Sequence, residues 1–251
     1  MAKFAVYYVP PAEDEFYCRA TEILGYDVRA GKSVQMSAAL QRRFDCIGGF
    51  VEGWVKDARP YGFHVTVGDA IDFSLGDILA IENEVEDILN CFSPDNPFEL
   101  RRRADDFVTF WPTRNGDAVV LRYDPNDHLK ILHALVTARV HPLGVGSGYL
   151  ERYIKNPTQY ADRPYRAHRV RKFFSPTVLD SYSPHFTVMN PYNGESKNML
   201  TRLFDEMFGE FAEITVESLC LLLKTGEDDN WQVWREFKRE SYPKTTHPAS
   251  G

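Results

Sequence analysis

Two copies of one short motif carry the residue types best suited to chemistry in this sequence. Residues 61–67 read Tyr-Gly-Phe-His-Val-Thr-Val, and residues 182–188 read Tyr-Ser-Pro-His-Phe-Thr-Val. Side chains alternate between the two faces of an extended strand, so each His-x-Thr presents an imidazole and a hydroxyl together, backed by apolar residues. The four polar residues are His64, Thr66, His185 and Thr187.

These residue types match what phosphodiester cleavage requires. The reaction needs a base for the attacking hydroxyl or water, an acid for the leaving oxygen and donors for the non-bridging oxygens. Histidine titrates near neutrality, so one imidazole can act as base while the other acts as acid. We therefore predict His64 and His185 as catalytic residues, and Thr66 and Thr187 as substrate-binding residues. His-x-Thr lacks a second nitrogen ligand, so we expect no metal and no cofactor.

The repetition of the motif matters more than either copy. A single His-x-Thr is so short that a chance histidine on a strand would explain it. Two copies in similar apolar settings, separated by 185 − 64 = 121 residues, instead favour two related lobes that place their polar pairs across a shared cleft.

The elements predicted around the two motifs follow the same order of strand, helix and hairpin. In the first half we predict a strand over 4–9, a helix over 12–23, a motif strand, a helix after Ser74, and strands over 107–111 and 118–121 joined by Asn115-Gly116. In the second half we predict a helix over 129–136, a motif strand, a helix after Ser196, and strands over 214–224 and 231–237 that turn at 225–229.

Residues 139–183 show no clear periodicity and include a basic stretch. Guanidinium groups bind phosphate oxygens through paired donors, so this stretch is a candidate lid or phosphate-contact segment, and a solvated loop or helix face is the alternative. Tyr61 and Tyr182 lie three positions before their histidines, so regular strand alternation puts them on the opposite face, where they would pack. This orientation does not follow if the strands begin after the tyrosines. The candidate phosphate contacts are Arg163, Arg166, Arg169, Arg171, Lys172, Tyr61 and Tyr182.

Composition and charge narrow the class of protein. The 251 residues are 43% hydrophobic, which suits a large core, and the net charge of −7 argues against a protein that coats duplex nucleic acid. No apolar run is long enough to span a bilayer, and the N-terminus lacks a signal-peptide segment. We therefore expect a cytoplasmic monomer with four reduced cysteines, no membrane partner, and a small phosphorylated substrate or nucleotide end as its ligand.

The paired motifs resemble those of the 2H phosphoesterases, a superfamily named for two His-x-Thr/Ser motifs. More narrowly, Leu24-Gly25-Tyr26-Asp27, the first strand ending in Pro10-Pro11, and residues 59–66 look like the branch associated with phosphonate metabolism. The resemblance spans most of the chain, from about Phe4 to Phe237. It implies a bilobal, internally duplicated α+β fold, with two antiparallel sheets that face a central cleft and helices outside.

The resemblance also implies residue roles. It implies that His64 and His185 are the acid and base and that the two threonines bind phosphate. The chain departs from the branch directly after the first motif, where Gly68-Asp69 stands in place of the branch's basic residue. We therefore expect its phosphate contacts to differ.

Together these features predict a single bilobal catalytic domain over 1–242, with lobes of roughly 1–124 and 125–242 that can exchange strands, and a disordered tail over 243–251.

The expected function is metal-independent hydrolysis of a phosphodiester, most simply a cyclic phosphate on a ribose-like or nucleotide substrate. Two alternatives stay open. One is an RNA-end 2′,3′-cyclic phosphodiesterase or 2′,5′-ligase relative, which would need a more basic cleft. The other is a non-catalytic phosphate or RNA-end binding module.

Overall fold

The chain combines α-helices with antiparallel strands, which confirms the α+β class. The computed structural model describes residues 1–227 and 229–239. The strands are β1 (Ala2–Tyr8), β2 (Tyr26–Asp27), β3 (Lys32–Ser33), β4 (Val65–Phe73), β5 (Glu99–Arg102), β6 (Val108–Pro112), β7 (Asp117–Pro125), β8 (His185–Tyr192), β9 (Glu213–Thr215), β10 (Ser218–Lys224) and β11 (Gln232–Lys238). The helices are α1 (Glu15–Leu24), α2 (Ala38–Arg43), α3 (Ile78–Asn90), α4 (Asp127–Leu135), α5 (Gly148–Lys155), α6 (Pro164–Phe173) and α7 (Lys197–Phe208).

The motif strands β4 and β8 are neighbours in one antiparallel sheet. Over the described residues the order is β11-β10-β1-β4-β8-β7-β5-β9, with β6 paired to β7 and a separate β2-β3 ribbon. One residue pair, Val65 with Phe186, connects β4 to β8, and we call it the bridge pair. In place of the two sheets that the resemblance implied, the strands therefore follow one path whose two arms meet at the motifs.

Each arm of the sheet contains a motif strand and a hairpin from the other half of the sequence. Strand β4 pairs with β1, which pairs with β10 of the C-terminal hairpin. Strand β8 pairs with β7, which forms a hairpin with β6. Both arms therefore combine strands from before and after residue 124.

Three phenylalanines pack against each other on the apolar side of the motif strands. Phe63 and Phe186 stack with ring centroids 4.6 Å apart and planes inclined at 20°. Phe16 of α1 packs edge-on against both, at 4.8 and 4.9 Å. Helix α1 is held in place by the Asp14 carboxylate, which accepts the backbone N–H of Phe16, and ends at Gly25 with φ 74°. Aromatic packing therefore fixes the strand face opposite the polar residues.

The elements predicted from local patterns are largely present. The four predicted helices correspond to α1, α3, α4 and α7, although neither Ser74 nor Ser196 makes a capping side-chain hydrogen bond. The first hairpin is β6-β7, with Gly116 at φ 147°. The predicted strand over 214–224 is wrong as a single strand, because β9 pairs with β5 while β10 pairs with β1.

Two predictions fall wholly or partly on residues that the structure does not describe. The tail predicted over 243–251 and position 228 of the predicted 225–229 turn are outside the described part of the chain. Among the described residues, no helix is both long enough and apolar enough to cross a membrane. The four cysteines are free thiols, as expected.

The phenylalanine cluster should contribute strongly to stability. Phe16→Ala removes a side chain that is 1% exposed and contacts both other rings, so we expect the free energy of unfolding to fall by about 3–5 kcal/mol. The control Leu79→Ala truncates a side chain that is 66% exposed and should change it by less than about 0.5 kcal/mol. Urea denaturation measures both, and equal effects would contradict this packing.

Candidate active site

The two motif strands have the same pattern of exposure along their length. From His64 to Asp69 and from His185 to Asn190, the residues run half-buried, buried, half-buried, buried, buried, half-buried. Both His-x-Thr pairs therefore lie on a partly accessible face, with the apolar motif residues buried behind them, as strand alternation predicts.

Each motif strand has two consecutive buried residues after its threonine, and a β-bulge lies at this point. Tyr7 pairs with Thr66 and the next residue back, Val6, pairs with Gly68, so β4 holds one extra residue, Val67. In the same way, β8 holds an extra residue, Val188, between the positions paired with Val120 and Val119. A bulge reverses the alternation beyond it. The two strands thus bend at equivalent places, directly after each threonine.

The first bulge brings Asp69 to the same face as Thr66. Strict alternation would point these side chains, three positions apart, in opposite directions, which is why the sequence did not indicate Asp69 as a site residue. Two features hold the bulge in place. The Asp69 backbone N–H donates to Nε2 of His141 at 3.1 Å. A Cβ at Gly68 would lie only 2.7 Å from Cγ1 of Val136, so only glycine fits there.

The bridge pair sets the four polar motif residues in a square. In an antiparallel pair, the residue before one bridge partner lies across from the residue after the other. His64 therefore lies across from Thr187, and Thr66 lies across from His185. The two histidines occupy one diagonal of the square, where Cα atoms are about 7–8 Å apart.

Each motif histidine has one ring nitrogen fixed by the backbone. Nδ1 of His64 lies 3.0 Å from the carbonyl oxygen of Gly62, and Nδ1 of His185 lies 2.8 Å from that of Ser183. A carbonyl oxygen only accepts, so Nδ1 carries the proton in both rings. In the neutral ring Nε2 is then an acceptor, which is the form a general base requires.

Burial lowers the pKa of both motif histidines. The pKa of His64 falls to about 4 through burial, and the charge of His185 lowers it further. Burial also lowers the pKa of His185, but there the Asp69 carboxylate raises it and the Arg122 guanidinium lowers it. The two rings are therefore chemically distinct, because the nearby carboxylate favours the protonated form of His185.

Aromatic rings hold both imidazoles in place. Tyr7 stacks on His64 with centroids 3.9 Å apart and planes at 9°. Trp111 packs edge-on to His185 at 4.4 Å, and Arg122 lies over the Trp111 ring at 5.9 Å. The sequence did not indicate these three neighbours, because they come from β1, β6 and β7 and reach the motifs only through strand pairing.

A cavity of about 410 Å³ opens beside the square, and we call it the motif cavity. Thr66 and His185, one residue from each motif, line it, whereas His64 and Thr187 are not among its lining residues. The arrangement of both complete pairs around one cleft stays a prediction. The lining also includes Asp69, Trp111, Tyr149 and Tyr182.

The five basic candidates lie on or beside α6, and none of them lines the motif cavity. Arg169 donates to the Ser181 hydroxyl at 2.8 Å and forms an ion pair with Asp180. It therefore holds the turn that leads into the second motif. Phosphate binding by this segment stays a prediction for all five, which are Arg163, Arg166, Arg169, Arg171 and Lys172.

The motif tyrosines precede their strands, which begin at Val65 and His185, so strand alternation does not orient them. Tyr182 lines the motif cavity, and its buried hydroxyl has no hydrogen-bond partner among the described residues. Tyr61 is 40% exposed and lines a neighbouring cavity. Ligand binding by the two tyrosines stays a prediction.

Two further buried histidines have structural roles. His133 and His141 each donate Nδ1–H to a backbone carbonyl, and each accepts a backbone N–H at Nε2, from Leu179 and Asp69 respectively. Neither ring has a nitrogen left for a ligand. Within residues 1–227 and 229–239, no group of three or more His, Cys, Asp or Glu side chains is arranged to hold a metal ion.

Comparison with known proteins leaves the family of this chain unassigned. No protein-family model and no curated protein sequence matches it. Two solved structures of Kluyveromyces marxianus Usb1, one with uridine monophosphate, align over 92% of this chain and 97% of theirs. Their sequence identities are 8% and 10%, and their TM-scores are 0.34 and 0.33. TM-scores below 0.5 do not establish a shared fold.

The buried histidines should make the protein less stable in mild acid. Burial lowers the pKa of His133 to about 4 and also lowers that of His141, whereas an unfolded histidine titrates near ~6.5. The unfolded chain therefore binds more protons below this value, so stability is lost as the pH falls toward 4. His133 contributes about 1.4 kcal/mol per pH unit in this window.

Urea denaturation at several pH values between 7 and 4 measures this dependence. The variant His133→Gln keeps a donor but cannot gain the proton, so its unfolding free energy should fall less steeply. The control His168→Gln, at an exposed position of α6, should keep the original slope. Identical slopes in all three proteins would contradict the structural role of His133.

Proposed function

We propose that this chain cleaves phosphodiesters, with His64 and His185 acting on opposite sides of one substrate phosphate. One observation carries the proposal. His185 begins β8 and His64 directly precedes the adjacent strand β4, so by the register of the bridge pair they lie on one diagonal of the square. Each ring has Nδ1 bonded to a backbone carbonyl. In-line displacement at phosphorus requires an acid and a base on opposite sides of the phosphate, and this diagonal provides them.

The electrostatics favour one assignment of roles. His64 has a pKa of about 4 and is neutral at pH 7, so its Nε2 is the base that takes the proton of the attacking water. Burial also lowers the pKa of His185, but the Asp69 carboxylate offsets part of this effect, so we assign His185 as the acid that protonates the leaving oxygen. A new P–O bond forms as the scissile one breaks. The hydroxyls of Thr66 and Thr187 donate to the non-bridging oxygens.

The substrate class follows from the size and charge of the site. The motif cavity of about 410 Å³ has aromatic walls formed by Trp111, Tyr149 and Tyr182. This volume suits a single sugar or nucleotide end, and the net charge of −7 disfavours a long polyanion. We therefore propose hydrolysis of a cyclic phosphate on a ribose-like or nucleotide substrate, without a metal.

We further propose that the two halves are copies of one unit, in the manner of the 2H phosphoesterases. The support lies in features that recur at equivalent positions. Both motif strands share the exposure pattern, the bulge after threonine and the Nδ1 bond to the carbonyl two residues before the histidine. Each is followed by a helix and a hairpin. The lobes would then exchange hairpins across the sheet.

Removing either histidine should abolish most turnover. His64→Ala or His185→Ala should each lower kcat by at least about 100-fold, because each loses an acid–base group. Thr66→Val and Thr187→Val should have milder effects. The measurement is hydrolysis of a panel of cyclic phosphates with EDTA present, with circular dichroism to verify folding. Loss of activity on adding EDTA, or wild-type activity in a histidine variant, would contradict the mechanism. Phosphate binding without turnover of any compound would indicate a binding module.

Asp69 should control one limb of the pH–rate profile. If His185 is the acid, its pKa sets the alkaline limb of kcat/KM, and removing the carboxylate lowers that pKa. Asp69→Asn should therefore move the alkaline limb to lower pH. The exposed control Asp95→Asn should leave the profile unchanged. If only the acidic limb moves, His185 is the base and His64 is the acid, which contradicts the proposed assignment.

A further inference from the structure

A second cavity of about 300 Å³ adjoins the motif cavity, because Asp69 and Tyr149 line both. Three cationic side chains line it, and we call it the basic cavity. They come from three separate elements, β1, α5 and β10, and are Lys3, Arg152 and Lys224.

Two of these cations oppose each other on neighbouring strands, and Arg152 lies over the Tyr149 ring at 4.7 Å. Lys3 and Lys224 stand directly opposite each other in the β1-β10 pairing, and like charges in such positions are destabilising. Lys3 has a partner in Asp72. Neither Arg152 nor Lys224 has an ion-pair partner among residues 1–227 and 229–239. Of the residues that the structure describes, Asp69 is the one carboxylate in the lining of this cavity, so the cations outnumber it even with Lys3 paired to Asp72. In a chain of net charge −7, this local excess of positive charge favours an anionic ligand.

A rigid aromatic wall connects the basic cavity to the catalytic square. Tyr7, which lines the basic cavity, stacks on His64 at 3.9 Å. Beside it, Tyr61 and Trp231 lie nearly parallel, with centroids 5.9 Å apart and planes at 25°. The backbone N–H of Trp231 donates to the Pro60 carbonyl at 2.9 Å, which fixes this wall against the first motif. The basic cavity therefore begins one ring away from the His64 imidazole.

We propose that the basic cavity binds a second phosphate group of the substrate, so that the enzyme acts on phosphodiesters that also carry a phosphate monoester. This inference rests on the proposed function and narrows its substrate class. A dianionic monoester matches the Arg152 guanidinium and the Lys224 ammonium group, because guanidinium binds phosphate in a paired geometry and ammonium adds a point charge. Since the two cavities share a wall, both phosphates can belong to one sugar or nucleotide.

The test compares two substrates that differ only in the second phosphate. Adenosine 2′,3′-cyclic phosphate lacks it, and the 5′-phosphorylated form of the same compound carries it. For the wild-type protein, kcat/KM should be at least about tenfold higher for the phosphorylated form, which is the effect expected of a hydrogen bond between charged groups. The preference should decrease as salt is added.

Variants connect this preference to the basic cavity. Arg152→Gln and Lys224→Gln should each reduce kcat/KM for the phosphorylated form by about tenfold, through KM, and leave the other substrate unchanged. Lys32→Gln removes the same charge at an exposed position outside both cavities and should have no effect. Equal wild-type activity on both substrates, or equal losses on both in the variants, would overturn the proposal.

A binding measurement separates this proposal from the proposed function. In calorimetry, adenosine 5′-monophosphate should bind the wild-type protein at least about tenfold more tightly than adenosine, and the Arg152→Gln/Lys224→Gln double variant should lose the difference. If neither cyclic phosphate is cleaved but this difference appears and depends on both cations, the phosphate site stands and the catalytic proposal fails. If adenosine 5′-monophosphate has no advantage, or the double variant keeps it, the phosphate site is excluded.

Discussion

The antiparallel contact between Val65 and Phe186 determines how the two motifs relate to each other. This single residue pair connects the arms of the sheet, and the stack of Phe63 on Phe186 supports it from the apolar side. Because the contact fixes the register, His64 lies across from Thr187 rather than across from His185. A shift of one residue would turn one motif pair into the core. The chemistry proposed for the site therefore depends on aromatic packing on the opposite face of the strands.

Several features around the motif residues lower the stability of the fold. Imidazoles are buried next to aromatic rings, which disfavours their charged forms. Bulges interrupt both motif strands, and two lysines face each other on neighbouring strands. The bulges and the opposed lysines are unfavourable for the fold. The bulge after Thr66 brings the Asp69 carboxylate to the same face as Thr66, and the opposed lysines supply positive charge to the basic cavity. Such local conflicts with folding are typical of functional sites.

The residues that could be predicted from sequence are those whose signal is local. The shared face of His64 with Thr66, and of His185 with Thr187, can be predicted because strand alternation operates within a few residues. The roles of these four residues stay a prediction. The helices α1, α3, α4 and α7 were recognisable from apolar periodicity, whereas α5, which has no fully buried residue, was not. The position of Asp69 on the same face as Thr66 cannot be predicted from sequence, because a bulge reverses the strand alternation between them. Arg152 and Lys224 lie 72 residues apart (224 − 152) in the sequence, so only the fold brings them to one cavity.

The most direct measurement for the central claim is a crystal structure of the protein with a nucleoside vanadate, which imitates the five-coordinate phosphorus of the transition state. The account predicts that vanadium lies between the Nε2 atoms of His64 and His185, with the threonine hydroxyls on its equatorial oxygens. His185 should contact the oxygen that corresponds to the leaving group. Vanadate bound by only one of the two imidazoles, or bound away from the square, would contradict the account.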